Sequence, residues 1–77
     1  MVEAFVLIQA GVGRASGVRQ AVSAIRGVRS ADLVIGPYDL VAHVEAASID
    51  ALGSLVVSKI QSVEGIARTL TCPVVRF

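Results

Sequence analysis

The 77 residues are expected to form one small domain spanning 1–77, which leaves no room for a separate helical DNA-reading module. Seven Lys and Arg against six Asp and Glu give a net charge of +1, too little for binding driven by counterion release from phosphates, so no direct nucleic-acid partner is expected. Hydrophobic residues make up 55% and charged residues 17% of the chain, an apolar surplus that points to burial against another subunit, most simply a second copy.

Val2 to Ala10 is a nearly continuous apolar run broken by Glu3 and Gln9 and closed by Gly11-Val12-Gly13. It reads as a central strand covered on both faces. From Ser16, a candidate N-cap, apolar residues fall at Val18, Ala21, Val22 and Ile25, the stripe of an amphipathic helix, with Arg19, Ser23 and Arg26 on its outer side and Gly27 ending it. Val28 to Ile35 predicts a second strand. The Gly36-Pro37 turn then opens a third, Tyr38 to Ala46, and these two pair as an antiparallel hairpin. Ser48 caps a second helix with Asp50 in its first turn and a buried stripe of Leu52, Leu55, Val56 and Ile60. Gly53 inside it implies close packing against a neighbour. Ile66 to Val75 forms the last strand, and Pro73 suits an edge.

The order β-α-β-β-α-β predicts an α+β fold: a ferredoxin-like sandwich with a four-stranded antiparallel sheet and two helices on one face. Its halves look related, since Ile25-Arg26-Gly27-Val28 and Val63-Glu64-Gly65-Ile66 share one pattern at the helix-to-strand junction. The other face of the sheet is left bare. Alternation assigns Leu40, Ala42, Val44 and Ala46 to the helices and Val41, His43 and Glu45 to the opposite side, with Asp39 at its start. Thr69 and Thr71 share a face and offer hydroxyls about 7 Å apart, the mixture of apolar and hydroxyl groups that an interface with a small polar pocket needs.

Asp39 has two readings: a partner for a ligand ammonium, or an acceptor for the hairpin's own backbone. Tyr38 either closes a pocket or lies in an interface. His43 and Glu45 invite comparison with a general-base couple, yet no nucleophile or oxyanion site is prescribed around them. No catalytic residue, metal site or cofactor is expected. Gly11-Val12-Gly13-Arg14 lacks the remaining residues of a nucleotide-binding loop and reads as a turn, while Arg14, Arg19, Arg26 and Arg29 read as a solvated face. The single cysteine, Cys72, and the absence of a leader or of a long apolar run predict a cytoplasmic setting, away from membranes.

Together, the Gly36-x-Tyr38-Asp39-Leu40-x-x-x-Val44 hairpin, the helix containing Leu55-Val56 and Ile60, and the junction Val63-x-Gly65-Ile66-x-x-Thr69-x-Thr71 resemble the effector-binding (RAM) domain of the Lrp/AsnC feast/famine regulators. The resemblance spans nearly the whole chain, which looks like a stand-alone form without the family's helix-turn-helix. It implies dimers whose sheets face each other, rings of dimers, and an amino-acid effector bound between dimers. It also implies a ligand site at Gly36, Tyr38, Asp39, Leu40, Thr69 and Thr71, with Asp39 near the ligand amino group and a threonine hydroxyl nearer its carboxylate. Full-length members of the family are the expected route to any effect on transcription. Two rivals share the order of elements. An ACT-like regulatory domain would use Gly11 or Gly13 against its ligand, and a small cofactor-free monooxygenase-type enzyme would use His43 or Glu45.

Overall fold

A computed structural model describes residues 1–76; Phe77, the last residue of the predicted domain, lies outside them. The first strand, β1, occupies Val2–Ala10 as predicted and lies between two neighbours in the sheet. Only one of its faces is covered within the chain: Ala4, Val6 and Ile8 are fully buried, whereas Phe5 is exposed. The sequence cannot separate those states, because an apolar run looks the same whether its second cover is a helix or another molecule.

The helix α1 spans Ala15–Ser23. Its cap position falls on Arg14, which makes no capping side-chain bond, so Ser16 lies inside the helix and does not cap it. Val18 and Val22 of the predicted stripe are buried, Ile25 packs at the core's margin and Ala21 is exposed. The next strands are β2, Val28–Leu33, and β3, Leu40–Ala46, each shorter at the turn than predicted. The Val34 N–H donates to the Asp39 carbonyl at 2.9 Å, so the chain stays clamped while Ile35 to Tyr38 bulge beyond the ladder. Gly36 sits in that turn with φ +151°.

Ser48 caps α2, Ile49–Ser54, and its hydroxyl accepts from the Ala51 N–H at 3.1 Å. The helix continues over Leu55–Ile60 with wider π-helical turns, closed by a bond from the Gln61 N–H to the Val56 carbonyl. Leu52, Val56 and Ile60 are buried as predicted. Gly53 is not packed against a neighbour: a Cβ built there would meet nothing within 4 Å. The last strand, β4, runs Ile66–Pro73.

The four strands form one antiparallel sheet in the order β2-β3-β1-β4, with both helices on the face carrying Val6, Ile8, Leu40, Ala42 and Val44. This is the ferredoxin-like α+β sandwich. The predicted relation between the halves holds at the backbone, since Gly27 and Gly65 both adopt φ +100°. An added methyl at Gly65 would approach Val18 Cγ2 at 3.0 Å, and one at Gly27 would approach the Glu45 carbonyl at 3.2 Å. Both positions therefore require glycine for conformation and for space. Among the described residues no helix is long and apolar enough to cross a membrane.

Candidate functional site

The predicted ligand residues fall into two groups on different parts of the sheet. The first is the tip between β2 and β3. Asp39 is half-buried and ties this tip to β1: its carboxylate Oδ2 accepts from the Ala10 N–H at 2.8 Å, and its own N–H donates to the Ile8 carbonyl at 2.9 Å. The carboxylate thus serves the neighbouring strand's backbone and not its own hairpin's. Oδ1 makes no hydrogen bond among the described residues. Tyr38 is half-buried beside it and Gly36 is exposed. The Leu40 side chain is fully buried in the core opposite Ile8, so only its backbone is available at this end.

The second group is on β4. Thr69 pairs with Ile8 and Thr71 with Val6, so both threonines share a face, as predicted, and that face is the helix side of the sheet. Alternation gives the grouping but not the side, which is fixed only when β4 takes its register on β1. Thr69 Oγ1 accepts from Gln61 Nε2 at 2.9 Å. Thr71 lines an open groove of about 350 Å³ between α2 with its π-helical extension and β4, beside Ile49, Leu52, Val56, Val57 and Pro73. Gln61 and this groove were missed in the sequence, since nothing in local periodicity says that the end of the second helix meets the last strand. From β3 to β4 is two strand spacings, about 10 Å, so the two groups do not converge in one chain.

The bare face carries a separate polar cluster. Glu3 and Glu45 are directly opposed on β1 and β3, a repulsive pairing unless each has a cation. Each has one: Arg29 donates to Glu45 Oε1, and Arg76 donates to Glu3 Oε2 at 2.6 Å. His43 Nε2 lies 2.7 Å from Glu3 Oε1 and must carry the proton, because an ionised carboxylate only accepts. The His43 ring also stacks on Phe5 with centroids 5.0 Å apart. His43 and Glu45, compared above with a general-base couple, are therefore committed to different partners on opposing strands. Arg29 is likewise an ion-pair member, and Arg19 Nε donates to the Ala31 carbonyl, so the arginines are not merely a solvated face.

Arg76 and then His43, by hydrogen bonding, hold the Glu3 carboxyl below its ordinary value of 4.5. A depressed carboxyl contributes stability above the unfolded group's range and loses it as pH falls through the folded value. Glu3→Gln is therefore expected to be less stable than the parent at neutral pH and to converge with it in acid. Urea unfolding from about pH 7 to about pH 3 checks this, and a deficit that stayed constant across the series would remove Glu3 as the titrating group.

The family model of the Lrp/AsnC ligand binding domain matches residues 3–77. A search of curated proteins found no match. Among solved structures, TTHA0845 from Thermus thermophilus superposes with a TM-score of 0.93 at 36% identity, covering 100% of this chain and 96% of that one. AsnC of E. coli superposes with a TM-score of 0.91 at 26% identity, covering 99% of this chain and 52% of that one. A transcriptional regulator of Neisseria meningitidis in complex with L-Met shares the fold, with a TM-score of 0.86 at 17% identity over 97% of this chain and 50% of that one. The chain thus spans about half the length of the latter two.

Proposed function

Because the chain belongs to the Lrp/AsnC ligand-binding-domain family, we propose that it is a non-catalytic, self-assembling sensor that binds a free amino acid and acts on transcription through full-length relatives. The observation that carries this reading is the half-engaged Asp39 carboxylate at the hairpin tip: Oδ2 is fixed by the Ala10 N–H, which orients the group and leaves Oδ1 for a ligand ammonium. Backbone donors near the tip would serve the carboxylate, joined by β4 threonine hydroxyls of a second copy, since those of the same chain lie about 10 Å away. Tyr38 would close the pocket with its ring. The L-Met bound to the Neisseria regulator supports the choice of ligand class. The commitment of His43 to Glu3 and of Glu45 to Arg29 supports a non-enzymatic role, since the acid-base pair of the rival reading is not assembled.

The bare face, where Phe5 and Leu70 are 43% and 47% exposed, supports the self-assembly part of this reading. Two copies packed sheet to sheet would cover it. Calorimetry against the twenty amino acids tests the sensor role, with Asp39→Asn as the informative variant because its amide oxygen still accepts from Ala10 N–H while the charge is gone. Hydrogen bonds to charged groups contribute about 1.5–3 kcal/mol, so affinity is expected to fall about 10- to 100-fold with the fold intact. Absence of heat with every amino acid would remove the sensing claim.

A further inference from the structure

The end of the molecule opposite the Asp39 tip carries a cleft that the proposed sensor site does not use. It is open, has a volume of about 460 Å³, and lies between the turn that follows α1 and one face of α2 with its π-helical extension. Ala51, Ser54, Leu55 and Lys59 recur at intervals of three or four and so present one face, while Ile25 and Arg26 come from the turn. Its apolar floor is fixed, because Leu55 packs so closely on the turn that a Cβ added at Gly27 would lie 3.1 Å from its Cδ2. The Gly27 carbonyl accepts from the Glu45 N–H at 2.8 Å, near the far end of β3. From Leu40 to Glu45 along that strand is about 17 Å, which separates the cleft from the tip.

We infer that this cleft is a binding site for a small organic phosphate, a phosphate monoester with an apolar body. Charge decides the class of ligand. The ion pairs among the described residues engage Arg14, Arg29, His43 and Arg76, and Arg19 is held by the Ala31 carbonyl. Arg26 and Lys59 are thus left without a carboxylate partner among the described residues, although both line one cavity, and no acidic residue lines it with them. Two cations in one cleft repel each other unless an anion stands between them. A phosphate monoester, with a charge of about −1.5 to −2 at neutral pH, matches the pair, whereas a carboxylate would neutralise only one of them. Arg26 offers a planar fork for two phosphate oxygens, Lys59 a point charge, and the Ser54 hydroxyl, which makes no capping bond, a third donor. Ile25, Ala51 and Leu55 cover the organic part. The π-helical turns over Leu55–Ile60 fit this site, since such turns are rare and gather at functional positions, and Leu55 and Lys59 both belong to them.

Arg26 and Lys59 are exposed, so neutral variants at them are expected to keep the circular dichroism of the parent. Calorimetry with phenyl phosphate as the probe is expected to show saturable binding to the parent chain, about tenfold tighter than inorganic phosphate or phenylacetate, and no binding of phenol. Arg26→Gln and Lys59→Gln are each expected to weaken it about 10- to 100-fold, and the double variant to abolish it. On titration followed by NMR, the amides of Ile25, Arg26, Ser54 and Leu55 are expected to shift while those of Tyr38, Asp39 and Leu40 stay in place. Absence of phenyl phosphate binding, binding that persists in the double variant, or shifts confined to other residues would overturn the site. Equal affinity for inorganic phosphate would overturn the organic part of the ligand, because the apolar floor would contribute nothing, and equal affinity for phenylacetate would overturn the dianion. Both single variants are expected to leave amino-acid heats as in the parent, so this site and the sensor site stand or fall separately.

Discussion

Replacing Ile8 by alanine is expected to lower stability by about 2–5 kcal/mol. A domain of this length has roughly 4–12 kcal/mol in total, so the change removes a large share. Ile8 is fully buried, and its register partners are Leu40 on β3 and Thr69 on β4. Truncation would leave a void between the sheet and the helices where β1 pairs with both β3 and β4. The same residue's carbonyl anchors the Asp39 N–H, so the loss should propagate to the hairpin tip. Urea unfolding followed by circular dichroism measures the effect, and a loss under about 1 kcal/mol would mean that the core closes over the gap.

Leu70→Lys is expected to abolish the proposed sheet-to-sheet pairing without harming the fold. Leu70 lies on the open face opposite Leu7 and is nearly half exposed, so in an isolated chain a lysine there costs within about 0.5 kcal/mol. Packed against a second sheet, its ammonium would lose water and find Phe5, Leu7 and Val41 around it. An uncompensated buried charge costs several kcal/mol, and about 4 kcal/mol is already a thousandfold in dissociation constant. Sedimentation of parent and variant across a concentration series decides the matter. A parent that stays monomeric at high concentration, or a variant with unchanged mass, would show that this face is not where copies meet.

Much of the fold was legible because its signals are local. The bounds of β1, the buried alternation of β3, the Ser48 cap and the Leu52, Val56, Ile60 stripe all follow from the spacing of apolar and capping residues along one element. The Gly27 and Gly65 junctions were legible as a repeat, and both carry the same positive φ. What escaped the sequence is relational. Ser16 satisfies the capping preference, but the chain leaving Gly13 turns into the helix two residues earlier, with Arg14 at the cap position. Tyr38 and Asp39 have strand-like neighbours, yet Asp39 bonds to β1 through its side chain and stays in the turn. The side of the sheet that Thr69 and Thr71 occupy, and the partners of His43 and Glu45, depend on registers between strands far apart in sequence. Of the candidate site, the hairpin and the threonine pair were visible as motifs, whereas their separation within one chain and the Gln61 contact were not.

Pro73 ends β4, an outer strand of the sheet, and shapes the edge that strand offers to other chains. The Val74 N–H donates to the Glu3 carbonyl, and amide groups along a strand alternate sides, so the position of Pro73 is one whose amide would point away from β1. The missing proton therefore leaves the internal ladder whole and interrupts the outer rim of β4, where an extended stranger would otherwise add itself strand by strand. At this end of β4 an incoming strand would find a donor missing from the row it must pair with, which weakens the rim as a template for amyloid-like stacking.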